Sequence, residues 1–269
     1  MSRKTVASIN LANLRHNLTV AKSFLSESAQ LVAVVKANGY GHGLLEVAEC
    51  LDGETLAVAF VDEALRLRHQ GIKSRILVLE GFTAPSELQE AIVNDLTVVI
   101  HDASQLDMLD GLSLTELADR YGKLSIWLKV NSGMNRLGFL PEHALLAMEC
   151  LLANKAVDVN VVMSHFATAE LPCSESFGIQ CIKLEKFVNN LKSTFPGKRF
   201  LISAANSAAL IQSPLVHYDL CRPGIMLYGA SPIPNKSVLE LGLKPVMSFC
   251  SSIIAVQTLQ AGDAVGYSG

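Results

Sequence analysis

Short apolar runs alternate with helix-like stretches along nearly the whole chain, and this alternation restricts the fold more than any other feature. Strand-like patterns fall at residues 5–11, 31–36, 56–60, 75–79, 96–100, 126–130, 157–165, 201–204 and 218–221. Helical apolar spacing occupies 11–26, 44–51, 62–69, 141–152 and 176–191, with helical material between 100 and 126 and a short helix from Asn206. Pro85, followed by Ser86 and Glu87, opens a further helix, because proline suits the first turn and an acid suits the positive end of the helix dipole. Runs such as 31–35 and 96–100 are apolar throughout, as expected of parallel strands buried on both faces. About eight strands interleaved with helices predict an α/β fold, either a (β/α)8 TIM-type barrel or an open doubly wound sheet. Periodicity does not separate the two.

The length of 269 residues suits one barrel, which commonly fills about 250. Half the residues are hydrophobic, enough for a large core, while only 17% are charged and the net charge is −3. Such a balance gives no reason to expect nucleic acid or an anionic membrane as partner. The opening Met-Ser-Arg-Lys-Thr-Val lacks a following apolar core of a signal peptide, and the apolar runs are too short to cross a bilayer. Six scattered cysteines form no C-x-x-C pair and have no histidine at zinc-finger spacing, so they read as reduced small hydrophobes, with no metal site and a cytoplasmic location. After Leu243 the texture changes. Residues 246–257 are rich in β-branched side chains, and Ala261-Gly-Asp263 reads as a hairpin-type turn before Val265-Gly-Tyr267. The expected division is a barrel over 1–243 and the first strands of a separate β domain over 244–269.

The chemistry concentrates where strands end, the position at which α/β-barrels carry function. Leu31-Val-Ala-Val-Val-Lys36 runs straight into Ala-Asn-Gly-Tyr40-Gly-His-Gly43. An ammonium at the end of a buried strand is costly unless paired, neutralised or used covalently, and only a neutral amine attacks a carbonyl. The glycines allow a sharp turn. A lysine that simply reaches water fits the same pattern. Arg136 and Lys129, in Lys129-Val-Asn-Ser-Gly-Met-Asn-Arg136-Leu-Gly138, also read as an ion-paired barrel edge. His165, in Met163-Ser-His165, fits a structural histidine, and Ser207, after Ala204-Ala-Asn206, an ordinary helix cap beside N–H groups that favour phosphate. In Cys221-Arg222-Pro-Gly224-Ile225, Pro223 has no N–H to donate.

Taken together and in order, these segments resemble the pyridoxal-phosphate-dependent alanine racemases, and the resemblance selects the barrel. It implies pyridoxal 5'-phosphate as cofactor, with Lys36 at the aldimine-forming position. Tyr40, Ser207 and the backbone N–H groups of Gly224 and Ile225 would bind the phosphate, and Asn206 and His165 would lie beside the cofactor. Arg136 matches the arginine that meets the phenolic oxygen and the substrate carboxylate, a task suited to a permanently charged planar donor. Lys129 matches a lysine that many members carry as a carbamate. Arg222 matches the arginine that faces the pyridine nitrogen and leaves it neutral, where many other such enzymes place a carboxylate.

The implied activity is racemisation of L- and D-alanine, with Lys36 and Tyr267 as bases on opposite faces and Tyr267 reaching the other subunit of a homodimer. That activity would serve either cell-wall precursor synthesis or the breakdown of D-alanine. Family members continue through a whole β domain, so this sequence resembles a truncated member, expected to bind cofactor and turn over weakly or not at all. Competing readings are a non-catalytic cofactor-binding barrel, a racemase of another small amino acid such as serine, and a barrel decarboxylase, against which Arg222 counts.

Overall fold

The computed structural model describes residues 4–110 and 114–268. The chain enters through β1 (Val6–Ile9) and α1 (Leu11–Ser23). The staves then follow: β2 (Gln30–Val34), β3 (Thr55–Val58), β4 (Ile76–Val78), β5 (Thr97–Ile100), β6 (Leu124–Lys129), β7 (Val157–Met163), β8 (Leu201–Ser203) and β9 (Leu220–Cys221). They form a closed parallel barrel in chain order, sealed where Leu31 of β2 lies opposite Cys221 of β9. Around it pack α3 (Leu44–Cys50), α4 (Val61–His69), α5 (Pro85–Val93), α6 (Ala103–Asp110), α7 (Leu114–Tyr121), α8 (Pro141–Ala153), α9 (Glu175–Thr194) and α10 (Ser207–Gln212). A single turn, α2 (Lys36–Tyr40), follows β2. Among the described residues, no helix is long and apolar enough to cross a membrane.

Side-chain parity explains both the core and the site. Successive strand residues point to opposite faces. Val32, Val34, Ala57, Leu77, Val99, Trp127, Val161, Met163 and Leu220 fill the barrel interior. Their neighbours Leu31, Ala33, Leu56, Val58, Ile126 and Leu128 pack outward in the cluster shared with the helices. Two residues beyond interior positions Val34, Trp127, Met163 and Leu220 stand Lys36, Lys129, His165 and Arg222. The rows that build the dry interior thus end in polar groups at the C-terminal mouth.

The first strand-like run is not a stave. β1 pairs antiparallel with β10 (Met247–Cys250), Val6 opposite Cys250 and Ile9 opposite Met247, as a two-stranded sheet outside the barrel. Of the β-rich stretch expected over 246–257, only β10 forms. The expected turn near 261 is present, with Asp263 N–H donating to Gln260 O at 3.1 Å and Gly262 at φ +96°. Residues 251–268 nevertheless form no helix or strand and lie exposed. A strand needs a neighbour for its backbone groups, and among the described residues β10 finds only β1. All six cysteines are free, but only Cys50 and Cys221 are fully buried; Cys150, Cys173 and Cys250 are exposed, against the expectation of buried small hydrophobes.

Candidate active site

A cleft of about 630 Å³ opens at the C-terminal mouth, within the usual size range for small-molecule sites. Lys36, Tyr40, Lys129, Arg136, His165, Asn206, Ser207, Arg222, Gly224 and Ile225 all line it. These are ten positions singled out from sequence, carried at the ends of five staves, β2 and β6 to β9, and in the segments that follow them. Tyr267 does not join them: its side chain is fully exposed in the segment beyond β10.

Lys36 leaves β2 into a turn that is sharper than glycines alone explain. Ala37 (φ 54°, ψ 53°), Asn38 (56°, 45°) and Gly39 (61°, 44°) are left-handed, and Tyr40 follows at φ 53°. For the three L-residues this costs about 1–2 kcal/mol each, so the surroundings must hold it. Asn38 Oδ1 accepts the Leu44 N–H at 3.0 Å, and the Asn38 carbonyl accepts the Gly43 N–H at 3.0 Å. The His42 ring donates through Nδ1 to the carbonyls of Gly39 and Tyr40 at 3.0 and 2.9 Å, which fixes its tautomer. Tyr40 stacks on Tyr228 with centroids 4.7 Å apart, and the Tyr228 hydroxyl donates to Val34 O at 3.1 Å. Burial pushes both phenols further from ionisation.

Opposite Tyr40 the chain makes a close-fitting cup. Asn206 caps α10, its Oδ1 accepting the N–H groups of Ala208 and Ala209 at 3.1 Å each. The Asn206 amide also donates to Phe166 O at 3.2 Å, tying the β7 and β8 loops together. Ser207 Oγ accepts the Gly224 N–H at 3.0 Å. A Cβ on residue 224 would lie 2.4 Å from the Tyr40 hydroxyl oxygen, so the close approach requires glycine.

Arg222 is buried on the floor. Its guanidinium donates to Ser203 Oγ, to Ser164 O at 2.6 Å, and to His165 Nδ1 at 3.2 Å. Neutral acceptors are its partners; among the described residues no carboxylate forms an ion pair with it. Burial lowers its pKa to about 10, which leaves it charged at neutral pH. Because His165 Nδ1 accepts from Arg222, the histidine carries its proton on Nε2. Burial, then the Arg222 charge, pushes its pKa down to about 3, so it is neutral. Lys129 is buried, and that burial together with the charges of Arg222 and Arg136 lowers it to about 8, while Glu80 opposes the shift.

Several supporting residues carry no motif. Ser203 and Ser164 aim Arg222, and Ser132 Oγ meets Ser164 Oγ at 2.8 Å. Buried Gln105 accepts the His101 N–H at 2.8 Å and donates to Phe82 O at 3.1 Å, holding the loop that brings Glu80 to the cleft. Gly81 was the available clue: a Cβ there would sit 2.2 Å from Val99 O. Glu63, a first-turn helix acid, gave no signal at all.

Fold and site together define a (β/α)8-barrel protein with a cationic small-molecule cleft at the C-terminal ends of its strands. A family model described as the N-terminal domain of alanine racemase matches residues 9–232. The alanine racemase of Nitrosospira multiformis is 42% identical over 272 residues, covering 99% of this chain and 71% of that protein. That of Hahella chejuensis is 40% identical over 269 residues, covering 98% and 71%. The crystal structure of the biosynthetic alanine racemase from Pseudomonas aeruginosa superposes with a TM-score of 0.87 at 38% identity, again over 99% of this chain and 71% of that one. The chain belongs to the alanine racemase family.

Proposed function

We propose that this chain is the cofactor-holding part of an alanine racemase that interconverts L- and D-alanine on pyridoxal 5'-phosphate. The observation that carries the reading is the meeting of Lys36, Arg222 and the Tyr40–Ser207–Gly224 cup in one cleft. The donor set fits the group. The cup approaches so closely that only glycine is tolerated at 224, and the floor presents a charged guanidinium with no carboxylate beside it. Pyridoxal phosphate, when bound, supplies an aldehyde for a lysine amine and a conjugated ring that takes up the electron pair left when a Cα–H bond breaks.

The residues then divide the work. Lys36 would hold the cofactor through Nζ and move the substrate proton on one face. Tyr40, Ser207 and the N–H groups of Gly224 and Ile225 would hold the phosphate, with Asn206 fixing the loop beneath. Arg222, remaining protonated on the floor, would face the ring nitrogen and leave it neutral, which would weaken the electron sink and favour simple proton exchange. His165 orients Arg222 through Nδ1 and holds its own proton at Nε2. Arg136, exposed at the rim, binds the substrate carboxylate. Lys129, with its lowered pKa, offers a neutral amine that combines with carbon dioxide, releasing a proton and leaving a carbamate to neutralise Arg136.

Tyr267 serves the opposite face of the substrate, entering the cleft of a second copy in a homodimer completed by a β domain that begins after residue 243. Its exposed position away from its own cleft supports a subordinate reading: by itself, this chain holds cofactor and turns over weakly or not at all. Borohydride reduction after loading with pyridoxal phosphate is expected to fix the label on Lys36, read by peptide mass spectrometry. Fusing the chain to the part of the Pseudomonas aeruginosa relative that lies beyond the matched stretch is expected to give interconversion of the alanine enantiomers. Label on another lysine defeats the cofactor assignment, and carbon dioxide release by the fusion favours the decarboxylase.

A further inference from the structure

The left-handed turn after Lys36 is tied down by a side chain that does not line the cleft. Glu63 stands in the first turn of α4 and is buried. One carboxylate oxygen accepts the Ala59 N–H at 2.8 Å, just beyond the end of β3. The other accepts the Asn38 N–H at 3.3 Å, in the middle of the left-handed turn and two residues after Lys36. Among the described residues, no lysine, arginine or histidine forms an ion pair with it. A buried anion answered by backbone N–H donors is expensive unless it fixes a geometry that the fold needs. Here it joins the stave next to β2 to a stretch of backbone in which Ala37, Asn38 and Tyr40 are all held against their preferred conformation.

We propose that Glu63 is a positioning residue for Lys36: its carboxylate locks the left-handed turn so that Nζ is presented to the cleft. The inference rests on the reading of Lys36 as the amine that holds the cofactor. Asn38 and His42 close the turn on itself, whereas Glu63 fixes it to the barrel. Loss of the carboxylate should therefore loosen the aim of Lys36 without unmaking the barrel.

Glu63→Gln keeps the size but leaves one acceptor oxygen and sets an NH2 group against the second N–H. In the cofactor-free chain, amide hydrogen exchange of the 36–44 segment is expected to quicken about tenfold, as loss of one hydrogen bond to a charged group implies, with β5 to β8 unchanged. In the loaded chain, the rate of borohydride-trapped attachment of pyridoxal phosphate to Lys36 is expected to fall by a similar factor of about ten. Leu67→Ala, which opens a cavity on the same helix, controls for lost stability and should trap at the wild-type rate. Equal trapping in Glu63→Gln and wild type, or equal slowing in Leu67→Ala, overturns the positioning role. No trapping at Lys36 in the wild-type chain overturns the cofactor reading instead, and unchanged exchange at 36–44 still refutes the clasp.

Discussion

At the scale of single residues, the cup shows how little tolerance the cleft has. Gly224 is the case with the sharpest consequence, because an added methyl meets the Tyr40 hydroxyl and ring rather than a flexible chain end. Gly224→Ala is expected to cost about 1–3 kcal/mol by denaturant titration, in the range of overpacked cores, and to weaken retention of pyridoxal phosphate. Tyr40→Phe removes the obstructing oxygen, so the double variant should be more stable than the sum of the single effects by at least about 0.5 kcal/mol. Strict additivity would mean that Gly224 is required for some reason other than Tyr40. Arg222 and His165 illustrate the complementary point: the bond from guanidinium to Nδ1 leaves the histidine its proton on Nε2, while burial keeps the ring neutral.

Among the elements, the link between α1 and the segment ahead of β10 is the most exposed to a single change. Asn17, fully buried on α1, donates to Leu227 O at 3.0 Å and Lys244 O at 2.7 Å, and accepts the Lys244 N–H at 2.8 Å. Asn17→Ala leaves three backbone groups without their partner, the Leu227 carbonyl buried and both Lys244 groups half-buried, and thermal or urea melts are expected to register a loss of about 1–3 kcal/mol. An unchanged midpoint would show that water replaces the amide. The staves and most helices were legible in sequence because apolar parity and 3.6-residue spacing are local properties. The fate of residues 5–11 and 251–268 was not, since whether a β-prone segment becomes a strand depends on which edge reaches it. The left-handed turn was half legible. Gly39, Gly41 and Gly43 announced a turn, but Ala37, Asn38 and Tyr40 adopt positive φ only because distant groups hold them there. Glu63, 27 residues after Lys36 in the chain, looks like any acid in a helix's first turn.

For the molecule as a whole, the buried cationic mouth makes stability depend on pH in a definite direction. His165 takes a proton near 6.5 when unfolded but resists it down to about 3 when folded, so unfolding binds a proton throughout that window. Stability is therefore full above 6.5 and falls as pH drops towards 3, by at most about 1.4 kcal/mol per pH unit for one proton. Lys129 acts in the same sense at the other end, its cost to the fold complete below about 8 and relieved as pH rises from there towards 10.5. His165→Gln, compared with wild type by urea denaturation at pH 7 and pH 5, is expected to lose about 1–2 kcal/mol less on acidification. Parallel losses in the two proteins would mean that carboxylates alone set the acid limb.

Trp127 is the one tryptophan in the chain, sealed in the barrel interior two residues before Lys129 on the same stave. Nature has thereby placed a lone indole under the floor of the cleft, whose emission is read apart from the five tyrosines by exciting at the red edge of the absorption band. An occupant that absorbs in the near ultraviolet would quench that glow, so the arrival and departure of whatever sits in the mouth can be followed by light alone, without dye or label.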